Sequence, residues 1–383
     1  MFSINLGVSM IIPLLPVYAE SLGASGFLIG TIFAASPFVR GIMMATFGSI
    51  ADRKEKKQIL LLGLSGNIVA SIGFVFVLDA VQLLVLRILQ GIFSAMVIPV
   101  ARAYAGELAP KKQQGEVMGL ATAGFFAGFA AGPLVGGILA DAFGIVAPFI
   151  AMGGLAGLAL MMVYRAVPRQ PPRTRETVGA PSEWAQIVAI FRNDIIKGLF
   201  LMRGSVAMGR GIFSALLPLF AQFVLGLTST HVGFVITLRA LLSSVLQPRF
   251  GQLADHYNRK WLAVAGFALA PFAFFLLPWA SNLSHLIILS AVLGVSTGMA
   301  VPSLTSMTVD RGRVYGMGRL MGLEGMFQSF ALALGSIVGG SALDIVGYQN
   351  AYLGAAFISA VGLLIALWYL RSYSDTYIPY ETP

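Results

Sequence analysis

The chain has 383 residues, of which 57% are hydrophobic and 11% charged. A soluble domain carries about a quarter charged residues, so a water-soluble globular protein is excluded. The absence of cysteine rules out disulfides, thiolate metal sites and a cysteine nucleophile. The net charge of +9 fits lysines and arginines held on one face of a membrane rather than a nucleic-acid surface.

Apolar runs near the ~20 residues that cross a bilayer recur along the whole length. The short alternating strands of a β-barrel are absent from the pattern. We therefore expect an all-α polytopic membrane protein. In chain order the predicted spans are 2–20, 27–51, 58–78, 81–105, 115–140, 145–165, 196–225, 231–254, 261–280, 284–308, 318–342 and 349–371. The first is expected to be a span and not a cleavable signal. Twelve spans put both termini on one side.

Basic residues choose that side. Loop 2–3 holds Arg53, Lys54, Lys56 and Lys57, and loop 4–5 holds Lys111 and Lys112. The middle connection holds Arg169, Arg173, Arg175 and Arg192, and loops 8–9 and 10–11 hold Arg259, Lys260, Arg311 and Arg313. The opposite loops, near 21–26, 79–80, 141–144, 226–230, 281–285 and 343–348, contain no Lys or Arg. This asymmetry predicts cytoplasmic termini in the inner cell membrane. Residues 1–165 and 195–372 are expected as six-span bundles, 166–194 as the connection and 373–383 as a tail. Within the connection, VPRQPPRTRETVGAPS is Pro-rich and charged and predicts a linker. SEWAQIVAIFRND follows it, with Ser182 as an N-cap and Trp184, Ile187, Val188 and Phe191 on one helical face. It predicts a short amphipathic helix on the inner membrane surface, with a partly disordered linker as the alternative.

The loop GSIADRKEKK at 48–57 returns as GQLADHYNRK at 251–260, 203 positions later. The same offset pairs Gly30 with Gly233, Pro99 with Pro302, Gly136-Gly137 with Gly339-Gly340, Asp141 with Asp344 and Gly144 with Gly347. The chain is thus two duplicated six-span halves. Parallel halves related about the membrane normal are a transporter plan, with the substrate site between them near the midplane.

Four stretches carry a specific resemblance: MIIPLLP in span 1, with Pro13 and Pro16; GSIADRKEKK, with Gly48, Asp52, Arg53, Lys56 and Lys57; LVLRILQGIFSA in span 4, with Arg87, Gln90 and Gly91; and GFFAGFAAGPLVGG in span 5. Together they make the chain resemble the major facilitator superfamily over essentially its whole length, and within it the twelve-helix drug–proton antiporters. The loop departs from the family pattern at Glu55, where Gly is usual. The second copy has Asn258, which tolerates a left-handed turn better than Glu. The resemblance implies a conformational latch on the cytoplasmic side. In it Asp52 and Asp255, beside the close-packing Gly48 and Gly251, each face a helix start in the other half. Arg53, Lys56, Lys57, Arg259 and Lys260 complete the two loops, and Glu107 and Asp310 compete for the cations. The span 5 motif implies an antiporter or exporter. Its Gly124, Gly128, Gly132 and Gly136 recur every fourth residue, a smooth face for close packing, with Pro133 and Gly137 beside them. We expect this face to form a bendable contact between the halves, generic packing being the alternative.

Charges inside spans are costly and functional by default. The arginines singled out there are Arg40, Arg87, Arg102, Arg203, Arg210 and Arg239, in spans 2, 4, 7 and 8. Arg102 and Arg203 lie near enough to the membrane face to snorkel. Glu324 in span 11 is the first candidate for proton coupling, with pairing to an arginine as its structural alternative; the resemblance assigns Arg87 to coupling as well. Arg40, Arg210, Arg239, Gln222 and Gln328 are the candidate substrate-cavity residues. The expected protein is a secondary transporter in the lipid bilayer, exporting small amphiphilic molecules against protons, as a monomer and without a cofactor. An exporter or flippase of anionic metabolites, siderophores or lipids is the alternative. A membrane enzyme is remote, since His231, His256 and His285 form no metal-ligand pair and no phosphate-binding loop is present.

Overall fold

A computed structural model describes residues 1–53, 55–108, 114–168 and 190–373. Every regular element among them is helical. Eleven stretches are long and apolar enough to cross a membrane. The last, Arg319–Tyr369, has 51 residues, more than twice the ~20 a crossing needs. It breaks at Gly347, whose φ of 75° and ψ of 177° are not helical, so spans 11 and 12 lie either side. Twelve crossings result. The linker and amphipathic helix expected at 166–194 fall largely on 169–189, and the tail on 374–383, both outside the described residues.

The proline positions explain the local irregularities. Span 1 is two helices, Phe2–Met10 and Leu15–Ser21. Pro13 lacks the N–H that would bond Ser9, and the Ser9 carbonyl instead accepts from the Ile12 N–H at 3.2 Å. In span 7 the helix Asp194–Leu219 contains Pro218 and passes into a wider π turn at Phe220–Val224.

The repeat is visible in the backbone itself. Gly23 and Gly226 have φ of 74° and 65°, and Gly144 and Gly347 have φ of 87° and 75°. All four occupy the left-handed region that glycine enters without penalty. Each pair is 203 residues apart. Glu55 and Asn258 also match, at φ −61°, ψ 111° and φ −62°, ψ 111°. Both are extended, so neither needs the left-handed turn expected there, and Glu55 is tolerated without strain.

Across the halves, span 2 packs on span 11 and span 5 on span 8. At the end away from the termini the apolar core is shared. Leu219, Leu343 and Tyr348 of the second half pack with Tyr18, Phe74 and Phe149 of the first. At the terminal end each half keeps its own core, one around Leu60, Leu64 and Val97 and one around Phe267, Leu304 and Met307. Among the described residues the halves therefore share a core at one end, the closed end, and keep separate cores at the other.

Candidate functional site: the closed end and the arginine-lined interior

The closed end is built twice from the same parts. Asp141, at the end of span 5, accepts the backbone N–H groups of Ser229 and Thr230 at 3.1 and 2.8 Å. Asp344, at the end of span 11, accepts those of Gly26 and Phe27 at 2.6 and 2.8 Å. These are the first residues of spans 8 and 2, whose initial N–H groups have no partner inside their own helix. The next N–H in each case bonds the helix's own cap, His231 to Thr228 Oγ1 and Leu28 to Ser25 Oγ. Every residue in one set lies 203 positions from its counterpart in the other. The carboxylates also favour the positive helix ends. Close approach is possible because Gly137 lies on the Ser229 backbone, Gly340 on Gly26, Gly233 on Pro133 and Gly30 on Ser336, where a Cβ would collide. One bond has no counterpart: the Leu134 N–H donates to Thr237 Oγ1 at 3.1 Å, whereas position 34 is Ala.

This geometry corrects the expectation for span 5. Gly124, Gly128, Gly132 and Gly136 face Phe2, Leu6, Ser9 and Met10 of span 1, inside the same half. The other half is met by the adjacent face, through Pro133 and Gly137. A period of four residues marks a close-packing stripe and says nothing of which neighbour it meets.

At the terminal end the second copy of the signature loop meets partners in its own half. Arg259 donates to Asp310 at 2.7 Å and to the Ala254 carbonyl at 3.2 Å, with Asp255 at 4.0 Å. Asp255 is otherwise exposed, a Cβ at Gly251 would come within ordinary contact of Pro302, and Lys260 lies 5.6 Å over the Trp261 ring. In the first copy, Lys57 donates to the Tyr164 and Val167 carbonyls at 2.8 and 2.7 Å, closing the end of span 6, and Lys56 is buried. The surroundings of Gly48 and the side chains of Asp52, Arg53 and Glu107 lie outside the described set. A Cβ at Gly119, Gly322 or Gly325 would meet open space.

The interior holds the charges. In the first half Arg87 is buried and bonded through all three nitrogens: Nη1 donates to Gln90 Oε1 at 2.6 Å, Nε to the Ile32 carbonyl and Nη2 to the Phe33 carbonyl, both at 3.2 Å. Pro37, in the middle of span 2, lacks the N–H that would take the Phe33 carbonyl, and Arg87 takes it instead. In the second half Arg203 forms a buried ion pair with Glu324, and its Nη2 donates to Thr305 Oγ1 at 2.8 Å. Arg203 therefore does not snorkel, and Glu324 has an arginine partner. Arg40, Arg210 and Arg239 are half-buried, and no carboxylate meets them among the described residues. Arg239 lies 4.7 Å over the Phe213 ring. Arg40 is in the first half, and the other two are in the second. Gln328 is half-buried one turn beyond Glu324. Gln222 sits at the closed end, donating to Ser229 Oγ at 3.2 Å, away from the arginines. Sequence reasoning paired Asp141 with Asp344 and assigned neither a role. The available signal was an acid ending a span in a loop free of Lys and Arg, repeated at the same offset.

Duplicated six-span bundles, closed at one end around buried charges, define a membrane transporter fold. The Major Facilitator Superfamily model matches residues 1–228 and again 199–381. The chain belongs to that superfamily and is a multi-pass membrane protein. It is 30% identical over 377 residues to an uncharacterized MFS-type transporter of Methanocaldococcus jannaschii, covering 97% of this chain and 95% of that one. It is 24% identical over 387 residues to the multidrug resistance protein MdtG of Enterobacter lignolyticus, covering 97% and 90%. Among solved structures it resembles a bacterial homolog of the human lysosomal transporter Spinster, with TM-score 0.80 at 13% identity, covering 97% and 95%.

Proposed function

We propose that the protein is a proton-coupled exporter of small amphiphilic compounds working by alternating access. It would sit in the inner cell membrane with both termini in the cytoplasm. The observation that carries this reading is the pair of pseudosymmetric carboxylate caps that join the halves at one end, Asp141 on the start of span 8 and Asp344 on the start of span 2, beside an Arg259–Asp310 pair inside the second half at the other. The inward-open state is held by Asp141 and Asp344. The outward-open state is held by the loop carboxylates, Asp255 and its counterpart Asp52, once Arg259 is released from Asp310. A carboxylate at a helix start contributes about 0.3–1 kcal/mol, and more when partly buried, enough to bias an equilibrium that must run both ways. The proton is carried by Glu324: taken up, it neutralises the partner of Arg203, and the freed arginine changes its contacts. Likeness to proteins named for multidrug resistance supports the substrate class and the direction.

The test is transport by the purified chain in liposomes under an imposed pH gradient, with a panel of cationic, neutral and anionic amphiphiles. Uphill movement of any of them that collapses with the gradient is the expected result. Movement indifferent to the gradient would remove the proton coupling, and no movement under any gradient would remove the transporter reading.

A further inference from the structure

Thr305 of span 10 is placed to do more than pack. Its Oγ1 donates to the Val301 carbonyl, one turn back, at 2.8 Å and accepts from Arg203 Nη2 at 2.8 Å. A hydroxyl has one proton. Spent on Val301, it leaves only lone pairs toward Arg203, so Thr305 is fixed as an acceptor. Arg203 therefore bridges two acceptors of different kinds, the carboxylate of Glu324 on span 11 and a neutral hydroxyl on span 10. Water is largely kept from them: the side chains of Arg203 and Glu324 are 10% and 9% exposed. Phe200 and Leu320, one turn before them on their own spans, are buried. Phe327 lies on Gly204, where a Cβ would collide. The arrangement belongs to one half. The counterpart of Glu324 is Ala121 and that of Thr305 is Arg102, whose guanidinium lies 4.7 Å over the Phe125 ring. Elsewhere on the spans packed around the pair stand Arg40 of span 2, Arg210 and the Asp194–Lys197 pair of span 7, Asp310 and Arg311 of span 10, and Arg319 of span 11. Among the described residues none of them bonds to Glu324 or Arg203.

Two charge states follow. With Glu324 ionised, Arg203 has both the carboxylate and the hydroxyl. With Glu324 protonated, the carboxyl is at best a neutral acceptor, and Thr305 is the other partner of a cation held away from water. A cation without partners is costly at membrane depth. The hydroxyl therefore matters more to the protonated state than to the ionised one. We propose that Thr305 is a positioning residue for proton uptake at Glu324: it keeps Arg203 in place when the ion pair is discharged. This rests on reading Glu324 as the proton carrier and adds to it the group on which the arginine falls back. Loss of the hydroxyl leaves the ion pair and removes the fallback, so uptake then needs a lower pH.

The test reads Glu324 directly. Difference infrared spectra of the full chain in nanodiscs, recorded against pH, give the carboxyl band that appears on protonation and is missing in Glu324→Gln. The midpoint of that band is expected to fall by about one pH unit in Thr305→Val, the scale of one hydrogen bond to a charged group. Thr305→Ser keeps the hydroxyl and should hold the midpoint near that of the unaltered chain. Thr305→Ala should act as the valine does, and it stands in if the valine variant fails to fold. Thr297→Val is the control. Thr297 makes the same bond to a carbonyl one turn back, to Leu293 at 2.9 Å, without an arginine partner among the described residues, and its loss should leave the midpoint unmoved. An unmoved or raised midpoint in Thr305→Val and Thr305→Ala overturns the assignment. So does an equal fall in Thr305→Ser, or the absence of an assignable band in the unaltered chain. Uphill transport by the same variants in liposomes keeps the two readings apart. If the midpoint falls in Thr305→Val while the pH profile of uphill transport stays fixed, Thr305 keeps its role and Glu324 leaves the coupling mechanism. A transport profile that falls by the same unit supports both.

Discussion

The two halves are copies where they close on each other and strangers in the interior. At the closed end Asp141 and Asp344 make the same pair of bonds to helix starts 203 residues from one another's targets. In the interior, the first half turns an arginine onto the Phe33 carbonyl freed by Pro37, while the second builds an ion pair, Arg203 with Glu324. Position 121, the counterpart of Glu324, is Ala, and position 290, the counterpart of Arg87, is Ser. Rocking two bundles about a common axis needs equal contacts on both sides of that axis. Handling a proton or a substrate needs one group in one place. On the proposed alternating-access reading, duplication preserves the first requirement and divergence meets the second.

The sharpest break of this comparison is at Glu324. Glu324→Gln leaves Arg203 buried without its counter-charge, and removing one partner of a buried pair costs about 3–5 kcal/mol. The loss is expected in the thermal or denaturant stability of the detergent-solubilised protein. Uphill transport in liposomes should vanish, while exchange at symmetric pH continues, since the amide mimics the protonated acid and releases nothing. Uphill transport that survives would take Glu324 out of the coupling mechanism. Arg87→Gln, which strands neutral carbonyls only, should cost less than Glu324→Gln.

The closing carboxylates should instead behave as twins. Asp141→Asn and Asp344→Asn each weaken a carboxylate's hold on a helix start, about 0.3–1 kcal/mol and more where partly buried, and shift the equilibrium toward opening that end. The chain has no cysteine, so a single introduced cysteine near Gly144 or Gly347 reports opening by its labelling rate without background. The two rates should rise by similar factors. A large rise for one and none for the other would show that the symmetry is geometric but not energetic.

Much of this was legible in advance, and what was not has physical causes. The apolar windows, the basic loops and the repeat are properties of neighbouring residues, so the spans and the two halves could be read directly. Glu324 and Arg203 stand 121 positions apart on different spans, and no local pattern joins them. The Asp141–Asp344 pair was visible as a match, but its meaning depends on which helix start lies opposite. The glycine stripe of span 5 was visible too, with its neighbour wrongly expected, because only packing decides which span meets which face.

That error supplies the next test. Gly136 and Gly137 are adjacent, yet a Cβ on the first collides with Met10 of its own half and a Cβ on the second with Ser229 of the other. Overpacking costs about 1–3 kcal/mol in either place. For Gly136→Ala it should appear as lost stability with the conformational equilibrium unmoved. For Gly137→Ala, and for its counterpart Gly340→Ala, it should appear as easier labelling at the closed end with stability nearly kept. If both substitutions acted only on stability, contact between the halves at this end would not be what the equilibrium turns on.

The smallest expected effect lies in the signature loops. Glu55 and Asn258 share a backbone conformation to within a degree and begin equivalent helices. Asn258 caps its helix by accepting the Trp261 N–H at 3.3 Å. Glu55 offers no side-chain cap and accepts from Gln58 Nε2 at 2.8 Å. Asparagine is among the best residues at a helix start, and a good cap contributes about 0.5–2 kcal/mol over a poor one. Glu55→Asn gives up the exposed bond to Gln58 together with the residue's other contacts, so a net gain at the low end, about 0.5 kcal/mol, is expected, read as a rise in the midpoint of thermal unfolding. The reverse change, Asn258→Glu, should lose about as much. A gain in the first without a loss in the second would mean that Glu55 and Asn258, alike in backbone, do not start their helices in the same way.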